Sequence, residues 1–205
     1  MFRGALGDAE IFALTPRNIL NGLGGACIST NDELLADRIR CMRSSGGVRK
    51  QVPVSKTVNG RMSEAQAAYG LMSLETLDDN IVRNKRLHET YSKYVRSIPG
   101  LALHSAAGVS ESNYQQAVAT VDQRQYGMSA GELVDRLRRR LVSADLIKFS
   151  FSSVLTNCAP THLPGFMALV RTGIELPLGS ATNGSVLEAV REVLTIPGNR
   201  KNPRV

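Results

Sequence analysis

From Ser63 to Gly100 the chain reads SEAQAAYGLMSLETLDDNIVRNKRLHETYSKYVRSIPG, and no other feature restricts the fold as much. Ser63 followed three residues later by Gln66 has the form of a capping box, in which each side chain satisfies a backbone N–H at the helix start. Leu71, Leu74, Leu77, Ile81, Leu87, Tyr91, Tyr94 and Ile98 then keep helical spacing, and Pro99-Gly100 stops the pattern. At about 1.5 Å per residue, one helix of this extent would be roughly 50 Å long, too long for one small core to cover. The segment is therefore expected to bend or break near Asp78-Asp79-Asn80 and to bridge two bodies.

The same cap pattern recurs. Thr30 with Glu33 opens a segment whose Leu34, Leu35, Ile39 and Met42 form one stripe; Ser129 with Glu132 and Ser185 with Glu188 open two more helices. Between them lie strand-like runs: Gly25–Ser29, the LALH that ends at His104, Gln116–Asp122, Leu146–Phe151, and a short extended piece over Ile174–Pro177. Strands alternating with helices predict a small α/β or α+β domain from about 100 to 197. Residues 105–112 and 152–161 are Ser-, Gly- and Pro-rich and read as loops.

Composition narrows the function. The chain has 205 residues and is 42% hydrophobic, a normal value for a globular protein. No apolar run approaches the roughly 20 residues of a membrane span, and the first residues lack a secretory pattern. Cys27, Cys41 and Cys158 are isolated, which fits a reducing compartment; a cytoplasmic protein without membrane partners is expected. Cys27, in GGACIS, reads as a buried small apolar residue. The formal charge of +7 invites nucleic acid as a partner, but its location argues against it. Arg136 and Arg138–Arg140 sit late in a helix, where cations suit the dipole; Arg40, Arg43, Arg49 and Lys50 lie among Ser and Gly; three more, Arg200, Lys201 and Arg204, gather in a terminal tail. None is interleaved with stacking aromatics, so no nucleic-acid binding is expected. His88 reads as a solvated helix residue, His104 ends the strand-like LALH, and His162 lies in a Pro-rich loop. No His, Cys or carboxylate group has metal-ligand spacing, so no metal is expected. Ser150, Ser152 and Ser153 lack a nucleophile elbow. On their own, Gly24-Gly25 reads as a turn before a strand and Asn59-Gly60 as a turn before a helix.

Three segments taken together carry more. The first is Gly7-Asp8 through Pro16-Arg17-Asn18, then Gly24-Gly25 and Thr30-Asn31-Asp32. The second is Asn59-Gly60-Arg61-Met62-Ser63-Glu64-Ala65-Gln66-Ala67-Ala68, with Leu74-Glu75-Thr76-Leu77-Asp78 after it. The third is Asn113-Tyr114-Gln115, Val121-Asp122, Ser129, Glu132-Leu133 and Leu176-Pro177-Leu178. In this order and spacing the chain resembles the DegT/DnrJ/StrS family of pyridoxal-phosphate-dependent sugar aminotransferases. The second segment matches the family's Asn-x-Arg-Met-Ser-x-x-Gln-Ala-Ala nearly residue for residue.

The resemblance implies an α/β, partial aspartate-aminotransferase-like fold (fold type I of pyridoxal phosphate enzymes). Residues 1–62 would be the remnant of a truncated large cofactor-binding domain, 63–98 a long connecting helix, 99–197 the C-terminal small α/β domain and 198–205 a basic tail. In the family, roughly the first half of the chain precedes the Gly-Asp segment and supplies most of the parallel sheet, the ring-stacking aromatic and the carboxylate facing the pyridine nitrogen. The implied substrates are a nucleotide-linked keto-sugar and an amino-acid donor such as glutamate. A lysine amine holds the cofactor in such enzymes and moves the proton. Aligned on Pro16-Arg17, the lysine position is Asn18, whose amide nitrogen has no basic lone pair. Ala13 stands where a phosphate-binding serine is usual and Thr15 where a histidine is usual; Lys50 and Lys56 have no matching context. Asn59 matches an asparagine that reaches a dimer partner's cofactor phosphate, and Arg61 the arginine beside it. The expectation is a degenerate relative, inactive alone, that forms a homodimer or joins a partner carrying the N-terminal half. A non-catalytic scaffolding subunit completing such a partner is the alternative.

Overall fold

The structure is a computed structural model that describes residues 7–44, 52–105, 112–147 and 164–196. It divides into two compact units, Met1–Asp79 and Asn80–Val205.

In the first unit, β1 (Glu10–Ala13) pairs antiparallel with β2 (Ala26–Ser29), Glu10 opposite Ser29 and Ala13 opposite Ala26. The ladder leads into α1 (Glu33–Arg43), capped by Asp32, whose carboxylate accepts from the Leu35 N–H at 3.0 Å. Asp32 therefore takes the cap expected of Thr30. The Thr30 hydroxyl is already spent, donating to the Asp8 carbonyl at 2.6 Å and accepting from the Asp32 N–H at 3.1 Å. Cys27 is exposed, against expectation, as are all four residues of β2. A two-stranded ladder buries a side chain only where another layer covers that face, and none of the described elements covers β2. Cys41, by contrast, is buried on α1, its thiol accepting from the Val52 N–H at 3.4 Å.

The long helical run is two helices, α2 (Glu64–Glu75) and α3 (Leu77–Arg96). The break falls at Thr76, just before the acidic pair expected to cause it. Thr76 turns its N–H back to the Leu74 carbonyl, while its hydroxyl donates to the Met72 and Ser73 carbonyls. A Ser/Thr side chain that bonds to its own preceding turn competes with the helical ladder in this way. The capping box of Ser63 and Gln66 is formed.

The second unit is built on an antiparallel sheet in the order β3-β4-β6-β5: β3 is Leu101–Leu103, β4 Ala117–Val121, β5 Asp145–Leu146 and β6 Gly173–Leu176. Helices fill the connections: α4 (Gln123–Tyr126), α5 (Ala130–Arg139), α6 (Pro164–Thr172) and α7 (Gly184–Thr195). The strand expected over Leu146–Phe151 is shorter; Ile147 still donates to the Gly173 carbonyl, and Lys148–Phe151 lie outside the described residues. Strand β4 alternates buried Ala117, Ala119 and Val121 with half-buried neighbours, which gives the sheet one core face. Onto that core α5 turns Ala130, Leu133, Val134 and Leu137, the i, i+3, i+4, i+7 stripe of an amphipathic helix. Tyr91, Ile174, Val190 and Leu194 complete it.

Two buried phenols pin the core to the backbone. Tyr91 donates to the Pro177 carbonyl at 2.7 Å and Tyr126 to the Leu194 carbonyl at 3.0 Å, which meets the requirement that a buried polar group find a partner. The Ser129–Glu132 capping box is formed, but α7 starts earlier than the Ser185–Glu188 pattern places it. Asn183 is its cap, accepting from the Val186 N–H at 3.1 Å and from the Ser185 hydroxyl at 2.6 Å. The basic end of α5 pairs outward, Arg138 with Asp145 and Arg140 with Glu192.

Candidate functional site

Strand β1 runs into Leu14, and the loop that follows is organised around this one residue. Its N–H donates to the Gly25 carbonyl at 3.0 Å, extending the ladder by a step, and its carbonyl accepts from both Gly22 and Gly24 N–H groups at 2.9 Å. The Leu14 side chain is buried. Within the loop, residues 15–18 form a turn in which the Asn18 N–H donates to the Thr15 carbonyl at 2.9 Å. The Asn18 side chain folds back as well: its Nδ2 donates to the Ala13 carbonyl at 2.5 Å. Asn18 is thus a structural pin on the end of β1.

The loop then makes its tightest turn at Leu23, Gly24 and Gly25, with φ of 58°, 119° and 81°. The Gly24 value lies beyond the left-handed well open to other residues, which is why glycine stands there. Asn21 supports the turn, its Oδ1 accepting from the Leu23 N–H at 2.7 Å and its own N–H donating to Ser73 Oγ at 3.0 Å. The loop seats on α2. A Cβ added at Gly24 would lie 3.4 Å from Gln66 Nε2, and one at Gly70 would lie 3.8 Å from the Gly22 Cα. The paired glycines and the Met-Ser-x-x-Gln-Ala-Ala segment, remote in sequence, are therefore parts of one structure.

Asn59 is held elsewhere, at the end of α1. It forms an isolated antiparallel bridge with Ser44, and the neighbouring Val58 and Gly60 N–H groups donate to the Met42 and Arg43 carbonyls at 2.7 and 2.9 Å. Its side chain is exposed, as is that of Arg61. Asn18 is thus fixed against β1 and Asn59 against α1. Lys56 is exposed on the segment leading to Asn59, and Lys50 lies outside the described residues.

These residues do not fit pyridoxal phosphate as a covalently held group. A Schiff base needs an amine, and the Asn18 carboxamide has none; its N–H is also committed to a carbonyl. Ala13 has no hydroxyl to offer a phosphate. Polar donors that could contact an anion without a covalent bond remain, in the Asn59 amide and the Arg61 guanidinium.

The second unit has a separate open cleft of about 1000 Å³, lined by His104, Thr120, Asp122, Arg124, Arg171 and Thr172 among others. Its walls come from β4, α4 and α6, and because the two short helices have no pattern that announces them, no sequence signal points to it. The Asp122 carboxylate is used within the wall, accepting from the Arg124 N–H at 2.9 Å. Beside the cleft, His88 is half-buried rather than solvated. Its Nε2 is 3.2 Å from the His104 carbonyl, and its ring meets Tyr114 edge-on at 5.4 Å between centroids. His104 in turn reaches Thr120 Oγ1 at 3.1 Å. Among the described residues no group of three or more His, Cys, Asp or Glu side chains is placed to hold a metal ion. No described helix is long and apolar enough to cross a membrane.

Residues 3–195 match the model of the DegT/DnrJ/EryC1/StrS aminotransferase family. The chain is 28% identical over 186 residues to the erythromycin biosynthesis sensory transduction protein EryC1 of Saccharopolyspora erythraea, covering 90% of this chain and 47% of that protein. Over 95 residues it is 37% identical to the dTDP-3-amino-3,6-dideoxy-alpha-D-galactopyranose transaminase of Aneurinibacillus thermoaerophilus, covering 46% of this chain and 26% of the relative. The crystal structure of DesI, determined in the presence of its TDP-sugar product, superposes with a TM-score of 0.80 at 28% identity, over 94% of this chain and 51% of DesI. The chain thus spans about half the length of the relatives that match nearly all of it.

Proposed function

Because the chain belongs to the DegT/DnrJ/EryC1/StrS aminotransferase family, we propose that it is a relative of the nucleotide-sugar transaminases that transfers no amino group through a lysine of its own. The carrying observation is Asn18, which occupies the aligned lysine position and ties its side chain to the Ala13 carbonyl. Ala13 and Thr15, at the positions of a phosphate-binding serine and a histidine, point the same way. The substrate class that goes with this reading is a keto-sugar carried on a nucleotide, with an amino acid as amine donor. It is supported by the dTDP-sugar transaminase among its relatives and by DesI, whose structure was determined in the presence of its TDP-sugar product.

A role in a pair gives the remaining site residue something to do. The Asn59 side chain is exposed while its backbone is fixed on both sides, so it is presented outward at a set position. In the proposed assembly, a homodimer or a complex with another family chain in the cytoplasm, Asn59 supports the phosphate of a pyridoxal phosphate that the second chain holds. A scaffolding subunit is the second reading, favoured by the same outward placement.

Borohydride reduction tests the first reading. The purified chain is mixed with pyridoxal phosphate, reduced and digested, and each lysine peptide is weighed by mass spectrometry. The expected result is no stoichiometric adduct on any lysine, and no amino-sugar formed from keto-sugar and glutamate. A full adduct on Lys50 or Lys56, or turnover by the chain alone, overturns the proposal.

A further inference from the structure

Two arginines from different elements, Arg124 on α4 and Arg171 on α6, line the open cleft of the second unit. Both are exposed, and among the described residues neither has an ion-pair partner, whereas Arg138 and Arg140 on α5 are paired with Asp145 and Glu192. Asp122 is the carboxylate of the described lining, and it is occupied as the cap of α4, accepting from the Arg124 and Gln125 N–H groups at 2.9 and 3.4 Å. The wall therefore carries a positive excess, and a cleft lined by one sign of charge focuses its field on whatever enters. On the sheet side the wall is polar and already set, because His104 Nε2 lies 3.1 Å from Thr120 Oγ1. Helix α6 contributes Gly165, Ala168, Leu169 and Thr172, which at spacings of three, four and seven share one face. Small residues on that face leave the cleft its width, and a Cβ added at Gly165 would meet nothing within 4 Å.

We propose that this cleft binds a sugar phosphate, with Arg124 and Arg171 sharing the phosphate and the polar wall of His104 and Thr120 meeting sugar hydroxyls. Each guanidinium presents a fork of N–H donors that matches an oxyanion. One fork saturates the two oxygens of a carboxylate, but the three terminal oxygens of a phosphate can be divided between two. At about 1000 Å³ the cleft is far larger than a bare phosphate fills and lies at the upper end of small-ligand sites, so the anion carries an organic group. The described lining has no Phe, Tyr or Trp face on which a nucleobase could stack, while an imidazole and a hydroxyl side by side are partners for a polyol. The site lies wholly in the second unit, no amino transfer is assigned to it, and the inference does not depend on the role of Asn18.

The test is isothermal titration of the chain with four probes: glucose 1-phosphate, thymidine diphosphate, inorganic phosphate and glucose. Amide chemical shifts locate the binding. Glucose 1-phosphate is expected to bind most tightly, with a Kd below about 1 mM, and to shift the amides of residues 120–124 and 168–172. Arg124→Gln and Arg171→Gln should each weaken it roughly tenfold, the loss of one charge-assisted contact. Neither should lower Tm, since both side chains are exposed and unpaired among the described residues. Ala168→Trp tests the space itself: Ala168 is exposed on α6, so the variant should stay folded and block binding. Arg139→Gln, exposed on α5 and outside the cleft, controls for the general positive charge and should leave the affinity unchanged. Inorganic phosphate binding as tightly as the ester, or thymidine diphosphate binding more tightly, overturns the assignment of a sugar phosphate. No binding at about 1 mM, shifts confined to other residues, or an equal loss in Arg139→Gln overturns the site.

Discussion

Gly100 joins α3 to β3 with a φ of +84°, and its carbonyl accepts from the Asp122 N–H at 2.7 Å. A Cβ placed there would come within 2.5 Å of the Tyr126 backbone nitrogen and 2.9 Å of the Gln125 and Tyr126 Cβ atoms. Two separable costs follow for Gly100→Ala. The left-handed backbone costs a residue with a Cβ about 1–2 kcal/mol. The overlap adds about 1–3 kcal/mol, because the nearest atom is backbone and cannot rotate aside. Tyr126 is itself fully buried and bonded to Leu194, so α4 has little freedom to retreat. The sum is about 2–5 kcal/mol, a fall of roughly 8–20 °C in Tm for a domain of this size. Gly179 supplies the control: its φ is +92° but nothing lies within 4 Å of an added Cβ, so Gly179→Ala meets the backbone cost alone. Thermal unfolding followed by near-ultraviolet circular dichroism of tyrosine suits the measurement, since the chain has no Trp and four of its five Tyr residues lie in the second unit. If the two variants lose the same stability, the close approach of Gly100 to α4 is wrong.

Three further outcomes are expected. Ser129→Ala should cost about 1 kcal/mol through the lost cap of α5, and Asn183→Ala a similar amount at α7, whereas Ser185→Ala should cost only a few tenths; urea titration separates them. Asn84→Ala should cost about 1–3 kcal/mol, because the Asn84 Oδ1 that accepts from the Gly179 N–H at 3.0 Å would be gone. Burial pushes the Tyr126 phenol up to about 12, partly offset by Arg136, and burial chiefly, with Tyr94, raises Tyr91 further still. An unfolded phenol titrates near ~10, so this stabilisation is complete below that pH and is lost as pH rises through the folded values. Stability measured by urea should therefore fall steeply from about pH 10 upward, and Tyr126→Phe should shallow that fall; an unchanged slope in the variant would contradict the assignment.

The four cap patterns show where local sequence is enough and where it is not. At Ser63 and Ser129 the hydroxyl and the Glu or Gln three residues on close upon each other, and the cap is set by neighbours alone. At Thr30 and Ser185 the same spacing is present, but Asp32 and Asn183 lie close enough to take the cap, and Thr30 is drawn to Asp8, 22 positions away in sequence. His88 and Cys27 fail for a related reason. Whether a residue of either type is covered depends on Tyr114 and the His104 carbonyl in one case, and on the uncovered face of β2 in the other.

The sequence by itself determined the helices other than α4 and α6, through periodicity and caps that act within one turn, and the family, through motifs whose residue types are required by chemistry. It also determined that Asn18 cannot form a Schiff base, since that is a property of the side chain. Only the tertiary structure decided what Asn18 does instead, that the glycine loop and α2 are one assembly, and that α2 turns Gln66 and Gly70 to that loop and leaves Leu71 and Met72 exposed. These depend on contacts between segments far apart in the chain, whose closure no local pattern encodes.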